Sequence, residues 1–261
     1  MDEVKISALF LDFCQSFPRE DMIELKIMHT RRVVENAIRI MEHEGFSAGL
    51  YSLGVCTAWL HDVGRFQQFQ RYRTFSDRQS VDHALLGCSE VLRLGWLDSV
   101  SATERNLVLH AIAFHNLRDL PERLSEDEYR LSALVRDADK LDIFRVLDQA
   151  IESGYLTAHP EIYWGLPIAR SPSEAVVAAV REGKSVDYAD VCSLADFVFI
   201  QLAWCSGGLV FAESLRMALA RKVVETRRDY LCTLLPGSTD VICQCCSGVL
   251  EKMKRRLEYG A

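Results

Sequence analysis

Seven histidines occur in the 261 residues, six of them in the first half of the chain, among them His29, His61, His83, His110 and His115. Each lies in or beside a stretch with helical periodicity. An imidazole makes a poor core residue unless it has a hydrogen-bond or metal partner. Several imidazoles on neighbouring buried helices, with carboxylates nearby, form the donor set that divalent transition ions prefer. Asp62 directly follows His61, and Asp139 continues the inward stripe of Leu131, Leu134, Val135 and Ala138. A carboxylate at the edge of such a stripe is costly unless a cation faces it. The other two histidines read differently. His43 stands near a helix end among glutamates and His159 precedes Pro160, so both are expected to face solvent. The dipeptide His61-Asp62 carries no information by itself, because a motif of two residues recurs by chance.

The elements that must position these groups are helical. From Asp21 to Glu44 the charges Glu24, Arg31, Arg32, Glu35, Arg39 and Glu42 share one side, and a wide apolar arc holding Ile23, Ile27, Val34, Ile38 and Met41 occupies the other. His29 lies inside that arc between Leu25 and Val33. Lys26 is the exception, a cation among apolar residues. Gly45 should end this helix. The next, about Ser47 to Asp62, is apolar almost all round and belongs at the centre of a bundle. Arg65 to Ser80, carrying Arg65, Arg71, Arg73 and Arg78, reads as a polar connection. Further helices are expected at 81–94, 103–115, 126–138 and 143–153, then at 173–182, 192–219 and 221–235, with a last one ending in Lys252–Glu258. The 192–219 stretch should be interrupted at Gly207-Gly208. The segment 159–172 holds three of the six prolines and reads as a loop. It is the candidate boundary between a core of residues 1–158 and a helical extension of residues 159–261. The expected fold class is all-α.

The order His29, His61-Asp62, Asp139 resembles the HD-domain superfamily of metal-dependent phosphohydrolases. His61-Asp62-Val63-Gly64-Arg65-Phe66 is similar to that family's "HD-x-G" helix end, and Arg136-Asp137-Ala138-Asp139-Lys140-Leu141-Asp142 to its final aspartate segment. Arg71-Tyr72-Arg73-Thr74-Phe75 through Asp82-His83, with Phe114-His115-Asn116, resembles a bacterial branch of the superfamily that has additional histidines. The resemblance implies a helical bundle with a metal held by His29, His61, Asp62 and Asp139. It implies a second ion bridged by Asp62, with His83 and His115 at the additional histidine positions. His110 stands about 140° from His115 around one helix, so the two do not easily share an ion. His115 is taken as the ligand and His110 as a residue contacting ligands or substrate. The ions could be Mn, Fe, Co, Ni or Zn, one or two per chain. The implied chemistry is hydrolysis of a phosphate ester, nucleotides among the candidates, by water activated at the metal. A metaphosphate-like transition state then needs cations. Arg65 and Lys140 adjoin the ligand motifs and are expected, with Asp62, to carry catalysis. Arg65, Arg73, Arg78, His110 and Lys140 are the expected substrate contacts. The chain lacks the Gly-Tyr-Pro motif of the branch that cleaves cyclic dinucleotides, and Asn116 stands where that branch has a second consecutive histidine. The alternatives are an HD-fold di-iron oxygenase and a non-catalytic nucleotide-binding module.

Composition narrows the setting. Lys+Arg 30 against Asp+Glu 37 gives a formal charge of −7, the wrong sign for wrapping duplex nucleic acid. The runs free of charge and histidine, Gly45–Leu60 and Phe197–Ala212, are broken by glycines and polar residues and fall short of the roughly 20 apolar residues of a membrane span. The N-terminus does not read as a signal peptide. Nine cysteines, an odd count with irregular spacing, read as reduced thiols in the cytoplasm. Cys232, Cys243, Cys245 and Cys246 lack the spacing of a zinc knuckle. Lys252, Lys254, Arg255 and Arg256 form a basic run suited to a helix C-terminus. Oligomeric state leaves no trace in the sequence.

Overall fold

In the computed structural model the described residues, 1–154, 156, 160–168 and 171–259, form helices joined by turns, with no strand among them. The fold is all-α, as expected. The chain divides into two compact units, Met1–Asp142 and Ile143–Ala261. The boundary expected between residues 158 and 159 lies outside the described residues, as does His159.

The first unit is built around α3, Ala48–Leu60, whose Leu50, Leu53, Val55, Cys56, Ala58 and Leu60 are all buried. Ser47 opens it, its hydroxyl accepting from the Leu50 amide. Against it pack α2, Asp21–His43, and α1, Glu3–Gln15. Helix α2 stops where Gly45 takes φ +64°, a conformation open to glycine. Helix α1 has no counterpart in the periodicity analysis. It is short and brings Phe10 and Phe13 onto Phe66, with Phe13 also edge-on to Trp96.

Two expectations are corrected. The connection from Arg65 is helical as far as α4, Val63–Tyr72, and only 73–82 is a loop, with one turn of 3-10 helix at Asp77–Gln79. The arginines obscure a buried stripe of Val63, Phe66 and Phe69. The helices expected at 126–138 and 143–153 are one, α7, Glu126–Glu152. The charged run 136–142 does not break it, because Asp137 and Asp142 are buried and Arg136 is also turned inward.

Helix ends place the histidines. His61 closes α3 and Asp62 stands at the head of α4. His83 is the first residue of α5, His83–Arg93, which Asp82 caps by accepting from the Ala84 and Leu85 amides. His115 follows α6, Ala102–Phe114, and Arg136 fixes that end by donating to the carbonyls of Phe114, Leu117 and Arg118. Gly64 brings the start of α4 against α5: a Cβ there would lie 2.1 Å from the His83 carbonyl oxygen and 2.6 Å from the Gly87 nitrogen.

In the second unit α8, Glu174–Glu182, packs on α9, Leu194–Ala203. The expected interruption follows as a π-turn at Trp204–Gly208, before α10, Ala212–Ala220. Helices α11, Val223–Leu234, and α12, Thr239–Tyr259, complete it. Arg227 is fully buried and satisfied by Gln201, the Phe144 carbonyl and Asp148. All nine cysteines are free thiols.

Candidate metal centre

His29 from the middle of α2, His61-Asp62 from the α3–α4 junction, His83 from the head of α5, His115 from the end of α6 and Asp139 from α7 converge. They form two groups, His29/His61/Asp139 and Asp62/His83/His115, and within each the donor atoms lie within 4.8 Å of one another. The side chains of His29, His61, Asp62, His83 and His115 are buried, and Asp139 is partly open.

Asp62 divides between the groups. Its Oδ2 lies 3.5 Å from His29 Nε2 and 3.7 Å from His61 Nε2, and its Oδ1 lies 3.4 Å from His83 Nε2 and 3.7 Å from His115 Nε2. Asp139 Oδ1 stands 3.1 Å from His29 Nε2 and 4.0 Å from His61 Nε2.

The outward nitrogens fix the tautomers. His61 Nδ1 donates to the Ala58 carbonyl at 2.8 Å and His115 Nδ1 to the Ile112 carbonyl at 2.6 Å. A carbonyl only accepts, so the proton is on Nδ1 and the Nε2 lone pair faces inward. His29 Nδ1 faces Asp142 and His83 Nδ1 faces Asp77, each at 2.7 Å, with the same result. The Nε2 atom of His61 is buried with no hydrogen-bond partner, that of His29 lies 3.1 Å from Asp139 Oδ1, and those of His83 and His115 face each other at 3.0 Å. Donors so placed suit a cation. Donors about 2.1 Å from a tetrahedral ion stand about 3.4 Å apart, and the distances here bracket that spacing. The residues fit a pair of divalent ions.

Electrostatics agree. Burial pushes the His61 and His83 imidazoles down to about 4, so both are neutral at pH 7. Burial and Lys26 oppose the His29 imidazolium, but Asp139 and Asp142 outweigh them and raise its pKa. Burial also opposes the charged forms of Asp62 and Asp139. Lys26 and His61 prevail at Asp62 and His29 at Asp139, holding both carboxyls below the usual range.

Several supporting residues were not assigned from sequence. Lys26 Nζ lies 2.7 Å from Asp62 Oδ2. Arg32 donates to both oxygens of Asp142, which holds His29. Asp77, which holds His83, accepts from Arg65 and Gln68. The available signal was Lys26 itself, a cation where the α2 pattern called for an apolar residue.

Among the expected substrate contacts, Arg65 Nε lies 3.5 Å from Asp62 Oδ1 while its Nη1 donates to the Phe75 carbonyl and Asp77. Lys140, next to Asp139, is buried, and burial together with Arg136 lowers its pKa to about 7. Arg73 is paired with Glu20 over the Phe69 ring, Arg78 is exposed, and His110 pairs with Glu128 and stacks on Phe114. The structure brings none of these three onto the six donors. His43 faces solvent. No cysteine belongs to a group that could hold an ion among the described residues.

The family model described as HD domain matches residues 27–143, the span that carries all six donors. This segment is an HD domain. HD domains bind divalent metals and are largely metal-dependent hydrolases. No curated protein and no solved structure matches the chain. No helix among the described residues is long and apolar enough to cross a membrane.

Proposed function

We propose that the chain is a metal-dependent phosphohydrolase that cleaves a small phosphate ester. The observation that supports it best is the division of the Asp62 carboxylate between two sets of inward-facing imidazoles. His29, His61, Asp139 and Asp62 Oδ2 would hold one divalent ion, and His83, His115 and Asp62 Oδ1 a second. Such ions supply Lewis acidity and lower the pKa of bound water.

The chain's own groups do the rest. Asp142 and Asp77 orient His29 and His83 through Nδ1. Arg65, anchored through Nη1, keeps Nε at Asp62, where positive charge offsets negative charge building on a phosphoryl group. Lys140, its pKa brought by burial to about 7, stands partly charged beside Asp139. The substrate is small rather than bulk nucleic acid, as the overall charge of −7 suggests. A cytoplasmic setting suits nine free thiols.

The same six donors suit a di-iron oxygenase, and oxygen dependence separates the two. Protein loaded with Mn2+ or Fe2+ is assayed against a panel of phosphate esters under argon and in air. Phosphate release in both atmospheres, abolished in Asp62→Ala, is the expected result. Two irons per chain with turnover only in air would establish the oxygenase. Full metal loading without turnover would leave a binding module.

A further inference from the structure

We propose that Lys26 is a substrate-binding residue, its ammonium taking an oxygen of the anion that occupies the centre. The proposal rests on reading the centre as a site for a phosphate ester and identifies the residue on α2 that recognises the phosphate.

Lys26 sits one helical turn before His29 on the same face of α2. Its Nζ contacts Asp62 Oδ2 at 2.7 Å and lies 5.3 Å from the centroid of the Phe75 ring. An ammonium has three N–H donors, and Asp62 takes one. The other two have no acceptor among the described residues. Lys26 can therefore keep Asp62 and still bind an incoming oxygen.

Exposure shows from which side that oxygen arrives. The five innermost donor side chains are 0–4% exposed, while Lys26 and Asp139 are each 16% exposed and Arg65 17%. These three border the edge of the centre that solvent reaches.

Charge shows what kind of group it is. The carboxylates Asp62, Asp77 and Asp142 face the cations Lys26, Arg32 and Arg65, while Asp139 faces His29 and His61. With neutral imidazoles, these four carboxylates against Lys26, Arg32 and Arg65 leave one net negative charge, which Lys140 beside Asp139 offsets in part. Two divalent ions would turn this into three or more net positive charges. The Lys26 ammonium would share Asp62 with such ions, so a further anion beside it is favourable, and a phosphate monoester brings up to two negative charges. A neutral substrate would leave Asp62 alone to offset the repulsion between Lys26 and the ions.

The test is calorimetric titration of inorganic phosphate into the Mn2+-loaded full chain, for wild type, Lys26→Met and Lys26→Arg, with Mn2+ uptake measured separately. Loss of a charged hydrogen bond should weaken phosphate binding by about tenfold or more in Lys26→Met. Lys26→Arg should retain most of the affinity. Mn2+ uptake should persist in both, because Lys26 is not a ligand. Should the methionine disturb folding, Lys26→Gln supplies the neutral variant. Unchanged phosphate affinity in the neutral variant, or no phosphate binding by the loaded wild type, overturns the proposal. Ester hydrolysis with the same KM in wild type and Lys26→Met overturns it while leaving the phosphohydrolase reading intact. Weakened phosphate binding in a protein that hydrolyses no ester leaves Lys26 in place and removes that reading.

Discussion

Asp77 accepts from His83 Nδ1 at 2.7 Å and is itself held by Arg65 and Gln68, so one loop carboxylate sets both the tautomer and the direction of a candidate metal donor. Supporting carboxylates of this kind usually change metal affinity by about 10–100-fold. Asp77→Ala should therefore weaken one of two Co2+ binding steps by that factor in a spectroscopic titration and leave the other unchanged. Equal weakening of both steps would show that Asp77 acts on the whole fold. At this scale the sequence was partly legible. His29, His61-Asp62 and Asp139 could be found because their order and their apolar surroundings are both visible in one dimension. The partner of Lys26 lies 36 residues away, and the partner of Arg32 lies 110 away. Pairings across such distances follow from packing, which no local pattern encodes. Arg73 and His110 show the converse. Each is near the motifs in sequence, but a closer carboxylate, Glu20 or Glu128, holds it.

Gly64 decides how α4 meets α5, and so how Asp62 meets His83. The atoms a Cβ would strike are backbone atoms of His83 and Gly87, which cannot step aside as a flexible side chain can. Gly64→Ala should cost about 3 kcal/mol or more, the upper part of the usual overpacking range. Gly248, inside α12 with nothing within 4 Å of its would-be Cβ, is the control, and alanine there should stabilise by up to about 1 kcal/mol. Urea unfolding midpoints check both, and an unchanged midpoint in Gly64→Ala would contradict the close approach. Helix positions were largely legible, since α2, α3, α5, α6 and α8 fall within a few residues of their expected bounds. Apart from α1, the misses share a cause. Polar residues in Arg65–Tyr72 and Arg136–Asp142 resembled solvent-facing or helix-ending segments, whereas several of them point inward and are paired there. Charge near a buried polar centre loses its usual meaning as a marker of surface.

The whole molecule should feel pH through its buried imidazoles. His61 and His83 are pushed by burial to about 4, whereas in the unfolded chain they titrate near 6.5. Between those values the unfolded state binds more protons, so stability falls as the metal-free protein is acidified through that window. The loss is on the order of 3 kcal/mol per ring. His29, raised, is largely protonated in both states there and adds little slope, while Asp62 and Asp139, held low, lose their contribution only below about pH 4. Thermal melts of chelated protein at pH 7 and pH 5 should show the lower midpoint at pH 5, and equal midpoints would mean that these rings are not buried neutral. Metal should stabilise by mass action, about 2.7 kcal/mol at a hundredfold excess over Kd, so chelation at pH 7 should lower the midpoint by several degrees. The most direct measurement is anomalous diffraction from crystals soaked in Mn2+. Two peaks are predicted, one among His29, His61 and Asp139 and one between His83 and His115, with an oxygen of Asp62 on each. The absence of both peaks, or a single ion that Asp62 does not touch, would contradict the account.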